Sequence, residues 1–135
     1  MEQYKELHAQ AERERISATW DMYVKMRIKT LRNRAKTLRY VRKAWDDEYM
    51  TIENMMALLK AQGYKSAIST RPLEHIMHKR GEQLVSQSAS IDRINNRKGY
   101  VQGNVQWVTV WENHARHQLP MGLFVELCQS VVDKQ

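Results

Sequence analysis

A chain of 135 residues, 42% of them hydrophobic, can bury one modest core, or one core with a helical arm. A mean hydropathy of −0.70, with no apolar run near the roughly 20 residues a bilayer requires, excludes a membrane span. Lys and Arg number 22 against 15 Asp and Glu, a formal charge of +7. That balance favours a polyanionic partner, because neutralised phosphates release counterions; by itself it does not separate DNA from RNA or an anionic membrane surface.

The N-terminal stretch is charged from its start, so a secretory leader is not expected and a reducing cytoplasm is the expected compartment. Gln3 to about Trp45 reads as helix, in one piece or two, with no Gly or Pro before Gly63. Tyr4, Leu7, Ala11, Ile16, Trp20, Tyr23, Val24, Ile28 and Leu31 recur at three- and four-residue steps. Between Lys25 and Lys43 lie nine basic residues and no acid: Lys25, Arg27, Lys29, Arg32, Arg34, Lys36, Arg39, Arg42 and Lys43. A solvated face is the ordinary explanation of such a run. The missing acids, with Tyr40 and Trp45 nearby, point instead to a surface that contacts phosphates.

The acidic triplet Asp46-Asp47-Glu48 should end that helix. Thr51 then reads as an N-cap for a helix from Ile52 to Ala61, with Met55, Met56, Leu58 and Leu59 inward and Gly63 as the stop. A short helix is expected from around Ser69 to Pro72 as far as Lys79, and Ser86 to Ser90 as a polar linker. Ser90 to Ile94 alternates as a strand, Asn95 to Asn104 forms an Asn- and Gly-rich hairpin loop, and Val105 to Val108 alternates again. Val110 to Gln118 reads as helix up to Pro120. The stripe of Leu123, Phe124, Leu127, Cys128, Val131 and Val132 needs a surface to dock on. Cys128, the single cysteine, excludes an intramolecular disulfide or a Cys-rich zinc knuckle, and is expected as plain core. Trp107 and Trp111 are likewise expected in the core.

Strand, loop, strand and helix within thirty residues can grip one metal ion. Asn113 and His117 are four apart, so on a helix they share a face, and Asp92 approaches them from the first strand. Carboxylate, amide oxygen and imidazole make a fairly hard donor set, suited to Mg²⁺ or Mn²⁺ rather than to a closed structural zinc. Each residue also has a plainer explanation. Asn104 after Gly103 is ordinary turn chemistry, His117 suits a helix C-terminus, and Asp92 could be an exposed strand acid.

The run Ser90-Ile91-Asp92-Arg93-Ile94-Asn95, with Lys98-Gly99-Tyr100-Val101 and Gly103-Asn104-Val105-Gln106-Trp107-Val108, resembles the signature of phage-borne HNH endonucleases. Glu112-Asn113-His114-Ala115-Arg116-His117 is similar to the helical tail of the HNH homing endonucleases. The likeness covers about thirty residues. It implies an α+β fold, mostly helical, with a basic helical region over 1–85 and a ββα-metal finger with a C-terminal helix over 86–135. It further implies Asp92, Asn113 and His117 as metal ligands, and Asn104 as the residue that ties the loop and orients the catalytic base. The implied reaction is one-metal hydrolysis of DNA phosphodiesters in a bacterial cell, by a phage-encoded protein; two copies could pair to cut both strands.

One position departs from the family. The residue after the first ligand is ordinarily histidine, and here it is Arg93, which cannot deprotonate near neutral pH. Three readings stay open. Arg93 binds the scissile phosphate while another group, such as Tyr100, His75, His78 or His114, activates water; or the ion generates hydroxide with little help; or the finger is catalytically dead and kept for binding or inhibition. Arg97 and Lys98, in the loop, join the basic helix as expected nucleic-acid contacts, with RNA as an alternative target.

Overall fold

The computed structural model of the chain describes residues 2–37, 44–76 and 87–135, without the side chains of 8, 9, 11–18, 36 and 37. Its elements are α1 (Glu2–Thr37), α2 (Ile52–Ala61), β1 (Ala89–Arg93), β2 (Val105–Thr109), α3 (Val110–Arg116) and α4 (Met121–Lys134). The fold is α+β. Among the described residues no helix is long and apolar enough to cross a membrane.

With no Gly or Pro to break it, α1 runs about 54 Å at 1.5 Å per residue. Trp20, Tyr23 and Val24 turn one face into the core, flanked by Ile28 and Leu31, while Tyr4 and Leu7 stay exposed. The expected continuation to Trp45 does not hold. Trp45 is extended and pairs with Tyr100, whose N–H donates to the Ala44 carbonyl and whose carbonyl accepts from Asp46 N–H. Their rings lie 5.2 Å apart, and Trp45, partly buried, packs against the core. The expected stop at Asp46 therefore has no helix to end; its Oδ1 instead shapes the next turn, accepting from the N–H groups of Glu48 and Tyr49. Tyr40, Arg39, Arg42 and Lys43 lie outside the described residues.

Thr51 caps α2, its hydroxyl accepting from Asn54 N–H, and Met55, Met56 and Leu59 are buried. The helix expected near Ser69 is absent over 69–76. The backbone bonds sideways instead, with Lys65 bridged to Pro72 and Leu73 N–H donating to the Tyr64 carbonyl. Residues 77–79 of that expected helix lie outside the described residues. Ser88, expected in a polar linker, is buried, and Ser90 belongs to β1 as its strand pattern suggested.

β1 and β2 pair antiparallel in a register running from Ala89 opposite Thr109 to Arg93 opposite Val105. Trp107 is fully buried beneath the hairpin, its indole N–H donating to the Met55 carbonyl at 2.9 Å. Tyr23 of α1 reaches the other strand and donates to the Ala89 carbonyl at 2.5 Å. The core is thus continuous across residue 85, joining Trp20, Val24, Met55 and Leu59 to Ala89, Ile91, Val105 and Trp107.

α3 follows β2 without a loop because Thr109 ends the strand and caps the helix, forming a reciprocal capping box with Glu112. Burial pushes the Glu112 carboxyl up, but hydrogen bonds from Thr109, Ser69 and Ser66 outweigh it and leave the group below its ordinary value. Three expectations fail beyond this point. Trp111 is 58% exposed, since Val110 and Arg116 take the inward positions of α3. α4 buries none of its residues; Leu123, Leu127 and Val131 are open, and Cys128 is exposed and not core.

Candidate active-site cleft

The loop between the strands is held by Asn104. Its Oδ1 accepts from Asn95 N–H at 2.9 Å, and its Nδ2 donates to the carbonyls of Asn95 at 3.1 Å and Gly99 at 2.8 Å. Gly103 enters this staple with φ +84°, where a side chain would be strained. Asn104 itself is buried and does not line the cleft, so its part is to fix the backbone that carries Tyr100. Asn104→Ala should cost about 2 to 3 kcal/mol, given three lost hydrogen bonds and orphaned backbone groups. Urea unfolding checks this; a loss below a few tenths would deny the staple its role.

Next to that loop, a cleft of about 330 Å³ brings together Asp92, Arg93, Tyr100, Asn113 and His117 with Arg27 and Arg34 of α1. Lys25, Lys29 and Arg32 are exposed on α1, as are Arg97 and Lys98 on the loop, and none of these five lines the cleft. Arg32 pairs with Asp47 at 3.1 Å, an exposed contact worth little. Lys36 lies on α1, its side chain outside what is described.

Asp92 is an interior residue, 4% exposed, and not a surface strand acid. Its Oδ2 accepts from Arg116 at 2.5 Å and from Gln106, its cross-strand partner, at 3.0 Å. Burial raises the Asp92 carboxyl above its ordinary value, against the pull of the Gln106 amide and the Arg116 and Arg93 charges. Arg116, 1% exposed, spends the rest of its guanidinium on the carbonyls of Arg93, Ile94 and Leu119. Neither Arg116 nor Gln106 was singled out by the motif. The cross-strand place of Gln106 follows once the hairpin register is known, whereas a basic residue in the last turn of a helix carries no mark of burial.

Arg93 leans its guanidinium over the Tyr100 ring, 5.2 Å from the centroid, and donates to the Asn96 carbonyl at 3.3 Å. Burial raises the Tyr100 phenol, with the Arg93 and Arg34 charges and an Arg93 hydrogen bond opposing. Its net shift is upward, so Tyr100 stays protonated at neutral pH and is a poor base there. His75 stacks near Trp20 at 4.6 Å and does not line the cleft; His114 lines an adjoining depression. His78 lies outside the described residues.

Asn113 donates to Ser90 Oγ at 2.9 Å, an orientation that reserves its carbonyl oxygen as an acceptor. His117 does not stand on the helix as its spacing suggested. α3 ends at Arg116, and His117 caps it at φ 49°, its N–H bonded to the Asn113 carbonyl. Its exposed side chain still borders the cleft. Asp92, Asn113 and His117 thus line one cleft, in which Asp92 Oδ2 is already held by Arg116 and Gln106. Among the described residues no three His, Cys, Asp or Glu side chains form a group that could hold a metal ion.

Compared with protein-family models, with curated proteins and with solved structures, the chain has no match.

Proposed function

We propose that this chain is a metal-dependent DNA endonuclease of the HNH type, its ββα-metal finger formed by β1, β2 and α3. The supporting observation is that Asp92, Asn113 and His117 border one cleft, together with Arg93 and the arginines of α1. In this reading those three residues hold Mg²⁺ or Mn²⁺, which when bound polarises the phosphodiester and the leaving oxygen. Arg93, permanently charged and steadied by Tyr100 and Asn96, binds the scissile phosphate. Arg116 and Gln106 fix the rotamer of Asp92, and Asn104 keeps Tyr100 in place behind Arg93.

A second reading has its own support. Tyr100 is a weak base at neutral pH and Arg93 cannot serve as one, so the same cleft suits a nucleic-acid-binding or inhibitory protein without turnover.

Relaxation of supercoiled plasmid separates the two. Asp92→Asn is the appropriate variant, because the amide still accepts from Arg116 while alanine would strand a buried guanidinium. Wild type should nick in Mg²⁺ or Mn²⁺ and stop in EDTA, and Asp92→Asn should fall at least about a hundredfold while remaining folded. DNA binding without nicking in either metal would leave only the second reading. A salt titration with structured RNA in place of duplex tests RNA as the target.

A further inference from the structure

α4 has fourteen residues and none of them is buried; Leu123, Val125, Leu127, Val131 and Val132 are each 52% to 64% exposed. Five aliphatic side chains so open present on the order of 400 Å² of apolar surface, the size of the largest patch an ordinary monomer leaves in water. The helix is also poorly equipped to stand alone. Pro120 gives it no side-chain cap, no acid stands in its first turn, and its length includes Gly122 and three valines. Isolated helices of about fifteen residues are marginal in water even when built from good helix formers. The helicity of α4 therefore has to come from burial, which the core of this chain does not supply.

The chemistry of its two sides selects what covers it. The polar side is satisfied within the helix: the Gln129 amide donates to Asp133 Oδ1 at 2.6 Å, and the Ser130 hydroxyl donates to the Glu126 carbonyl at 2.9 Å. That side is acidic, with Glu126 and Asp133 against Lys134, whereas a helix lying on an anionic bilayer carries Lys and Arg there. A lipid surface is thus the wrong occupant.

The apolar side fits its own copy. Phe124, Leu127, Cys128 and Val131 follow the three- and four-residue steps of a packing stripe, and its midpoint falls between Leu127 and Cys128. Two such stripes laid antiparallel about a twofold axis at that midpoint set Leu123 opposite Val132, Phe124 opposite Val131, and Leu127 opposite Cys128. Every level then pairs a larger side chain with a smaller one, the arrangement by which facing positions interdigitate without voids. Such a pairing removes on the order of 1,000 Å² from water in total, where specific interfaces begin.

We propose that α4 is a self-association surface, joining two copies of this chain through antiparallel α4 helices that meet at Leu127 and Cys128. The proposal does not rest on the nuclease reading.

Sedimentation velocity of the full chain over a micromolar concentration series tests the surface. Wild type should approach twice the chain mass. Leu127→Asp/Val131→Asp should stay at the chain mass to at least about tenfold above the wild-type midpoint, a shift of a decade or more in Kd. Its urea midpoint should match that of dilute wild type, because α4 adds nothing to the core. Wild type at the chain mass throughout, or a variant that still doubles, overturns the proposal.

Cross-linking locates the axis with no substitution at all. A short bismaleimide, which joins two thiols, should convert wild type to a covalent dimer through Cys128, its single cysteine, and the yield should fall on dilution together with the mass. A doubled mass without covalent dimer overturns the pairing at Leu127 and Cys128. Wild type that remains at the chain mass but sediments with phosphatidylserine vesicles assigns α4 to lipid and overturns it too. Plasmid nicking, with or without doubling, bears on the nuclease reading alone.

Discussion

Arg116→Met should lower the unfolding midpoint by roughly 10 to 20 °C, the equivalent of about 3 to 5 kcal/mol. The guanidinium is wholly interior, and each of its nitrogens has a partner: Asp92, Arg93, Ile94 and Leu119. Removing it leaves three carbonyls short of a donor and one carboxylate buried without its counterion. Lysine would not repair this, since one ammonium cannot span a fork that reaches β1, its following residue and Leu119 at once. Combining Arg116→Met with Asp92→Asn should cost less than the two separate losses added, with a coupling of about 1 to 3 kcal/mol, because the second change removes the stranded charge. Thermal and urea unfolding of the four proteins measure it. Simple additivity would mean that the pair is not the clamp its geometry describes.

Gly99→Ala should be comparably damaging for a different reason. A Cβ at Gly99 would sit 2.0 Å from the Ala44 carbonyl oxygen and 2.6 Å from its nitrogen. Both are backbone atoms and cannot swing aside, so the bridge between Trp45 and Tyr100 has to open. That displaces the ring on which Arg93 rests, and the expected cost is about 3 kcal/mol, at the upper end of overpacking effects. On the nuclease proposal, loss of plasmid nicking should accompany it. Gly103→Ala is the control: its Cβ would meet nothing within 4 Å, and only the strain of φ +84° remains, about 1 kcal/mol. Equal stability of the two variants would sink this account of Gly99.

The contrast between what periodicity exposes and what it hides follows element by element. Thr51 as a cap, the alternating strands and the inward Met55 and Leu59 were legible because each depends on neighbours a few residues away. The failures involve partners distant in sequence. Trp45 leaves the helical pattern for Tyr100, and the stretch after Ser69 gives its backbone bonds to Tyr64 and Gln87. In the cleft, spacing suggested that Asp92, Asn113 and His117 share a region, and they do; it misplaced His117 by keeping it on a helix that ends one residue earlier. Spacing had no means of showing that Asp92 is neutralised from behind by Arg116, or that Arg27 and Arg34 form the opposite wall. Pairwise contacts between charges leave no period in a sequence.

Gln62 carries a last consequence. Its side-chain amide pairs with Trp107 as a neighbouring strand would, Oε1 accepting from the Trp107 N–H and Nε2 donating to the Trp107 carbonyl, both at 2.9 Å. Ala67 N–H adds a second donor to that carbonyl, and on the far side Glu74 bridges Ser88 at the entrance to β1. A two-stranded ribbon is ordinarily an open template for a third strand. Here a glutamine imitates one, so at the centre of β2 the backbone groups of Trp107 are already taken and are not open to an added strand.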